Sequence, residues 1–85
     1  MGISIHEVRV WRALRAEWRT VLELASAAGV ARRTASLHCG RFAEMGLAER
    51  AEVFPGYRFR RATTTGEISS SYAQQLEAAG RATGE

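Results

Sequence analysis

Residues 20–45 read TVLELASAAGVARRTASLHCGRFAEM, and this stretch decides the fold. Thr20 is a residue type that caps helices by accepting a hydrogen bond from a backbone N–H, so it predicts a helix over residues 21–28. Gly29 then supplies the left-handed conformation that closes a helix. Because only two residues separate Gly29 from the next helical stretch, the sequence predicts two helices joined by a tight turn.

The next helical stretch covers residues 32–45, and Gly46 is a candidate to end it. Helical spacing divides its side chains into two sets. The set predicted to face the core contains Ala35, His38, Cys39 and Phe42. The set predicted to lie largely on other faces contains Arg32, Arg33, Ser36 and Arg41.

A further helix is predicted before this stretch, over residues 5–17. Ser4 and Glu7 fit a capping box, in which each side chain bonds the backbone N–H of the other residue. Apolar residues follow at helical spacing, namely Ile5, Val8, Trp11 and Leu14. We expect Trp18 in the core as well, together with Trp11, Phe42 and Phe59.

After Gly46 the spacing of apolar residues changes from helical to alternating. Residues 47–53 and 57–61 predict two short strands, and Phe54-Pro55-Gly56 predicts the turn between them. Alternation places Tyr57, Phe59 and Arg61 on one face, and Arg58 and Arg60 on the other. The sequence therefore predicts a small hairpin.

A final helix is predicted over about residues 64–79, with a cap within Thr63–Thr65. Its stripe consists of Ile68, Tyr72, Gln75/Leu76 and Ala79. We predict a single domain over residues 1–80 and a disordered tail over residues 81–85.

The composition is that of a small globular chain of 85 residues, 46% of them hydrophobic. All twelve basic residues are Arg, and the net charge of +3 is unevenly spread, since residues 1–62 carry +5 and residues 63–85 carry −2. Arg binds phosphate through a planar fork and pairs bidentately with guanine. The charge therefore favours a nucleic-acid partner.

Other classes of protein are disfavoured by what the sequence lacks. No apolar run approaches the roughly 20 residues of a membrane-spanning helix, and the N-terminus lacks the pattern of a secretory signal. The single Cys39 fits a reducing cytoplasm. His38 and Cys39 are neighbours on a helix and point about 100° apart, so they cannot both reach one metal ion. With no Gly-rich phosphate loop and no Ser-His-Asp set, we expect no enzyme, no cofactor and no metal.

The predicted order is helix, helix, glycine turn, helix, hairpin and helix, which is mainly α with a small β-wing (α+β). This order resembles the winged helix-turn-helix of bacterial regulators of the MarR and IclR type. Their pattern is a Leu-Ala pair, a Gly four residues after that Ala, and then an apolar residue. Here these positions are Leu24-Ala25, Gly29 and Val30.

The resemblance covers about residues 20–70. Thr34-Ala35-Ser36 stands where those families place Thr-Val-Ser, and residues 42–50, FAEMGLAER, are similar to their exit into the wing. Tyr57-Arg58-Phe59 and Ala62-Thr63-Thr64-Thr65-Gly66 are similar to the returning strand and to the start of the next helix. Two features depart from the pattern. His38 takes a position that is usually apolar, and the wing turn lacks the Asp-x-Arg tip of the MarR type.

This resemblance implies a transcriptional regulator of bacterial or phage origin that binds double-stranded DNA sequence-specifically. The helix over residues 32–45 would enter the major groove. The helix residues implied to face DNA are Arg32, Arg33, Thr34, Ser36 and Leu37, with Arg41 on a phosphate. Arg32 or Arg33 would pair with guanine, and Leu37 would contact a thymine methyl group.

The wing over residues 47–61 would lie on the flanking DNA backbone. Arg58 and Arg60 are the residues implied to hold it, and a solvated strand face is the alternative. A further basic run comprises Arg9, Arg12, Arg15 and Arg19, for which pairing with surface Glu and binding to phosphate both stay open.

Domains of this type commonly form homodimers. The candidate pairing surface is Ile68, Tyr72 and Leu76 with the first helix, and the alternative is that these residues close the core of the monomer. Two other functions stay open. One is a protein-interaction module, favoured by Leu37 on the supposed DNA face, and the other is a non-specific architectural or recombination accessory DNA-binding protein.

Overall fold

The computed structural model describes residues 3–53, 56–63 and 66–82, except for the side chains of residues 67–69 and 82. The elements are α1 (Ile5–Ala13), β1 (Arg19–Thr20), α2 (Val21–Ala28), α3 (Arg32–Glu44), β2 (Ala48–Val53), β3 (Gly56–Arg61) and α4 (Glu67–Ala82). Phe54 and Pro55 of the predicted turn, Thr64 and Thr65 of the predicted cap, and residues 83–85 of the predicted tail lie outside the described residues.

The predicted pair of helices around Gly29 is confirmed. The Thr20 side chain accepts a hydrogen bond from the Glu23 backbone N–H (3.1 Å), and the Glu23 carboxylate accepts one from the Thr20 backbone N–H (2.8 Å). Gly29 ends α2 in the left-handed conformation, with φ of 70°. Gly46 follows α3 with φ of 82°, so both predicted glycine stops are present.

α1 is shorter than predicted and ends at Ala13, not at residue 17. Leu14 leaves the helical conformation (φ −80°, ψ 116°), and its side chain is completely buried. The chain then runs on to β1, and the backbone oxygen of Arg15 accepts a hydrogen bond from the backbone N–H of Arg61 (2.8 Å). Contacts with a distant strand therefore override the local helical pattern.

The hairpin belongs to a three-stranded antiparallel sheet with strand order β1-β3-β2. The hairpin register runs from Ala48 opposite Arg61 to Val53 opposite Gly56, close to the predicted strands. β1 was not predicted. It pairs Arg19 with Phe59 and Thr20 with Arg58, and two residues are too few to show a period of two.

One core joins the helices to the base of the sheet. Phe42 is completely buried, and its ring meets the Trp11 ring edge to face at a centroid distance of 5.5 Å. Phe59 is buried as predicted, but Trp18 is not a core residue. Trp18 is 38% exposed, and the guanidinium of Arg60 lies 4.5 Å from the centre of its ring. The predicted stripe on α1 also fails at Ile5, which is exposed.

α4 packs across α1 and starts and ends three residues later than predicted. The Trp11 indole donates a hydrogen bond to the Glu77 carboxylate (3.0 Å), and the Tyr72 hydroxyl donates one to the Glu7 carboxylate. A Cβ at Gly80 would lie 3.2 Å from the Arg12 guanidinium, so the helices approach closely there. None of the described helices is both long enough and apolar enough to cross a membrane.

Candidate nucleic-acid interface

The outer face of α3 carries the residues that the sequence places away from the core. The side chains of Arg32, Arg33, Ser36, Leu37 and Arg41 are exposed, and that of Thr34 is half-buried. Ala35, His38, Cys39 and Phe42 are buried, as predicted. Leu37 is 50% exposed although it is apolar, so this face combines basic, hydroxyl and apolar groups.

The start of α3 is electropositive. Ala31 occupies the N-cap position and provides no side-chain hydrogen bond, and the first turn contains no acidic residue. The backbone N–H groups of that turn therefore lack the acceptor that Thr20 supplies to α2. Because Arg32 and Arg33 lie in the same turn, this end of the helix adds two full charges to its own partial positive charge.

A groove of about 310 Å³ separates the two helices from the wing. Its lining comes from three elements and their neighbours: Thr20, Val21 and Leu22 at the start of α2, Arg32 and Ser36 on α3, and Val53, Gly56, Tyr57 and Arg58 on the wing. The fold thus brings Arg58 of the wing beside Arg32 and Ser36 of α3, and all three are predicted site residues.

β1 holds the wing beside the start of α2. Thr20 pairs with Arg58 across the sheet and also caps α2, so one residue fixes both elements. The pKa of Glu23 is lowered, chiefly by the hydrogen bond from the Thr20 backbone and the one from its side chain, with smaller contributions from the charges of Arg58 and Arg19. Sequence alternation found Arg58 but gave no sign of the strand that positions it.

The two wing arginines have different surroundings. The Nε of Arg60 lies 2.6 Å from the Glu49 carboxylate, and its guanidinium covers Trp18. In contrast, the guanidinium of Arg58 forms no hydrogen bond or ion pair with any residue that the structure describes. The same holds for Arg32, Arg33 and Arg41. These four exposed groups are therefore available to an external anion.

Sequence reasoning missed three side chains on or near this surface. Leu22 is 65% exposed beside the groove, and Tyr57, 46% exposed, lies beneath the guanidinium of Arg50 at 5.1 Å from its ring centre. An apolar residue on the outer side of a helix was a usable signal for Leu22. No sequence signal identified Arg50, because alternation alone does not show how far the wing projects beyond the core.

His38 and Cys39 lie on the face of α3 that packs against the core. His38 is 8% exposed, and its Nδ1 atom is buried without a hydrogen-bond partner among the described residues. Burial raises the pKa of the Cys39 thiol to about 12, so it stays protonated and is a poor nucleophile. Among the residues that the structure describes, no three His, Cys, Asp or Glu side chains lie together in a way that could hold a metal ion.

We expect the stability of this protein to fall as the pH drops below 6.5. Burial is the main cause that lowers the pKa of His38, with Arg41 and His6 adding to it and Glu7 opposing it. In the unfolded chain, His38 takes up a proton near its ordinary pKa of 6.5. In the folded chain, its imidazole stays neutral to lower pH. The free energy of unfolding then decreases by up to about 1.4 kcal/mol per pH unit below that value.

Urea unfolding measured at about pH 7 and about pH 5.5 tests this expectation. His38→Gln should flatten the pH dependence, because the group that titrates is removed. His6→Gln is the matched control, since His6 is exposed. An unchanged slope in His38→Gln would assign the pH dependence to another group.

The candidate pairing residues lie on α4. Leu76 is completely buried within the monomer, and Tyr72 is half-buried against Glu7. The side chain of Ile68 lies outside the described residues. Leu76 therefore closes the core of the monomer, which was the alternative to a role in pairing. The homodimer stays a prediction.

Comparison with known proteins identifies the fold. The sequence matches no protein-family model and no curated protein. Its structure is similar to the crystal structure of a MarR family transcriptional regulator from Silicibacter pomeroyi DSS-3, with a TM-score of 0.61, 20% sequence identity and 94% of this chain covered. The chain spans 56% of the length of that protein. The similarity shows a shared winged-helix fold, which confirms the fold predicted from the sequence.

Proposed function

From the winged-helix fold as the premise, we propose that this chain binds double-stranded DNA sequence-specifically and acts in transcriptional regulation. The observation that carries the proposal is the shared surface of α3, the start of α2 and the wing, where Arg32, Arg33 and Arg58 have no carboxylate partner among the described residues. A phosphate backbone is the polyanion that such a surface fits. One solved structure with a similar fold is that of a MarR family transcriptional regulator, which agrees with the proposal.

α3 is the element that we assign to the major groove. An α-helix fits that groove, and residues near its N-terminus meet the edges of the bases. Arg32 and Arg33 lie in that first turn and are exposed, so their forked guanidinium groups can pair with guanine. Leu37, one turn further, offers an apolar contact for a thymine methyl group.

The wing is assigned to the flanking backbone, where contacts position the protein without reading the sequence. Arg58 lines the groove beside α3 and has no internal partner among the described residues, so it is the first candidate for a phosphate contact. Arg60 would first have to leave the Glu49 carboxylate and the Trp18 ring. We therefore give Arg58 the larger share of the affinity from the wing.

Fluorescence anisotropy with a pool of genomic fragments, repeated over a salt series, tests the proposal. We expect selected fragments to bind roughly 10³-fold or more tightly than scrambled duplexes. The logarithm of the affinity should fall linearly with the logarithm of the salt concentration, with a slope of about −0.9 for each phosphate contact. A specificity ratio near one would favour an architectural protein, and no binding at low salt would exclude both functions.

A protein-interaction module is the second candidate, because apolar side chains lie on the same surface. Leu22, Leu37, Val53 and Tyr57 are each at least 44% exposed. Apolar groups grouped on one surface are typical of protein contacts. This candidate gains support if the chain fails to bind DNA and if Leu37→Ala, but not Arg33→Ala, weakens capture of a defined protein partner.

Gly40→Ala is expected to stabilise the protein and to weaken its binding to DNA. Gly40 lies one turn beyond Leu37 and Ser36 on the outer side of α3, and a Cβ there would meet no atom of the chain within 4 Å. Ala should raise the free energy of unfolding by about 0.5–1 kcal/mol, because Gly costs more conformational entropy in a helix. On bound DNA the added methyl group would stand between the helix and the bases.

Thermal unfolding and anisotropy on the same preparation measure the two effects of Gly40→Ala. Higher stability together with weaker DNA binding would support a partner that approaches Gly40 closely. Equal affinity for DNA in both proteins would place this part of α3 away from the bases.

We further propose that the chain acts as a homodimer in the cytoplasm. A dimer would read two half-sites about one turn of DNA apart. Because Leu76 is buried in the core of the monomer, the dimer contact would use exposed positions of α4 such as Gln74 and Gln75. Sedimentation velocity at several protein concentrations distinguishes a dimer from a monomer.

A further inference from the structure

A second basic cleft lies between α1, the segment that leads from α1 to β1, and the end of α2. It has a volume of about 670 Å³ and is lined by Arg9, Arg12, Ala13, Arg15, Ala16, Glu17, Arg19, Ala27 and Ala28. It shares no residue with the groove beside α3, which contacts α2 at Val21 and Leu22. The two sites adjoin at the start of α2, where Arg19 lines the cleft and Thr20 lines the groove, and the cleft extends from there to Ala27 and Ala28 at the end of α2.

The cleft is rich in positive charge. Residues 9–19 contain four Arg and one Glu, so their net charge of +3 equals that of the whole chain. Neither Arg15 nor Arg19 forms an ion pair with a carboxylate of the described residues. Like charges that line one cleft repel each other, and an anion in the cleft would relieve that repulsion.

Two of these arginines are held in place by backbone oxygens. The Nε of Arg15 donates to the carbonyl oxygen of Arg12 (2.9 Å), and an Nη of Arg19 donates to that of Ala13 (3.3 Å). Each guanidinium carries five N–H donors, and these two bonds use one donor from each. The remaining donors are partly fixed in direction, which lowers the entropic cost of binding a ligand.

We propose that this cleft binds phosphate groups. A phosphate offers several strong acceptor oxygens and up to two negative charges, so it can bridge two anchored guanidinium groups. Ala27 and Ala28 also line the cleft, and their small side chains leave room for an anion. The phosphate can come from a free anion such as pyrophosphate or from the backbone of DNA that extends beyond the α3 site. Only the second source depends on the function proposed above.

Thermal unfolding in the presence of pyrophosphate, with sodium chloride at equal ionic strength as reference, tests the cleft directly. We expect pyrophosphate to raise the melting temperature of the wild type by several degrees when it is well above its dissociation constant. Arg15→Gln/Arg19→Gln should lose this rise, while Gln keeps an N–H donor for the two carbonyl oxygens. Arg32→Gln/Arg33→Gln removes the same charge from the α3 surface and should keep the larger part of the rise. Equal responses in the two variants would overturn the proposal.

If Arg15→Gln/Arg19→Gln does not fold, the wild type supplies the measurement. Nitrogen-15 NMR of the arginine Nε–H groups during a pyrophosphate titration should show saturable shifts of Arg15 and Arg19. Shifts confined to Arg32 and Arg33 would overturn the cleft.

Duplex length then identifies the source of the phosphate. If the source is DNA, a bound duplex that is lengthened by about one helical turn on each side should make additional phosphate contacts. The slope of the salt dependence should then steepen by about 0.9 for each added contact. This change should require Arg15 and Arg19. If length has no effect while pyrophosphate still raises the melting temperature, the source is a free anion. Failure of all DNA binding leaves the pyrophosphate result standing, and absence of both responses overturns the site.

Discussion

Arg32→Ala/Arg33→Ala should strongly reduce sequence-selective DNA binding and leave the fold intact. Both side chains are exposed and make no internal hydrogen bond or ion pair with a described residue, so their loss should change the free energy of unfolding by less than about 0.5 kcal/mol. Each bidentate pair with guanine contributes about 1–3 kcal/mol of discrimination. We therefore expect affinity for a selected site to fall roughly 30-fold to 10⁴-fold.

Two further variants separate the roles of charge and geometry at these positions. Arg32→Lys/Arg33→Lys keeps the charge and loses the fork, so selectivity should fall while the salt dependence is retained. Arg81→Ala removes one charge from exposed α4 and is the matched control for each single substitution on α3. If Arg81→Ala weakens binding as much as Arg33→Ala, net charge and not the α3 surface governs the affinity.

Phe42→Ala should remove a large part of the free energy of unfolding. Phe42 is completely buried, lies edge to face with Trp11 and packs near His38, so its removal leaves a cavity between α3 and α1. Such a truncation costs about 3–5 kcal/mol. A chain of 85 residues has a total stability of only about 4–13 kcal/mol.

Urea unfolding followed by circular dichroism measures the loss in Phe42→Ala. Leu37→Ala is the control on the same helix, because Leu37 is half-exposed and its truncation should cost less than about 0.5 kcal/mol. A loss below about 1 kcal/mol for Phe42→Ala would mean that the core around Trp11 repacks without the ring.

The parts of the fold that the sequence predicted are those fixed by local chemistry. Thr20, Glu23 and Gly29 set both ends of α2 through bonds within a few residues, so the bounds of that helix were predicted correctly. The buried face of α3 was also correct, because a period of 3.6 residues is written into the sequence itself.

The parts that escaped prediction are set by partners far along the chain. Leu14 leaves the helix because the following segment joins β3, and β1 is visible only through its pairing with Phe59 and Arg58. Sequence alternation placed Arg58 and Arg60 on one strand face as equals. The structure distinguishes them, because Glu49 and Trp18 reach only Arg60.

The packing of α1 against α4 has a consequence for synthesis of the protein. Hydrogen bonds from Trp11 and Arg12 reach partners 66 and 68 residues later. A ribosome therefore has to release nearly all of the described chain before the sides of Val8 and Trp11 that face α4 can be covered. A nascent chain halted before Leu76 would carry an open apolar face, which favours aggregation and recruits chaperones. The first helix to be made is thus the last to complete its contacts.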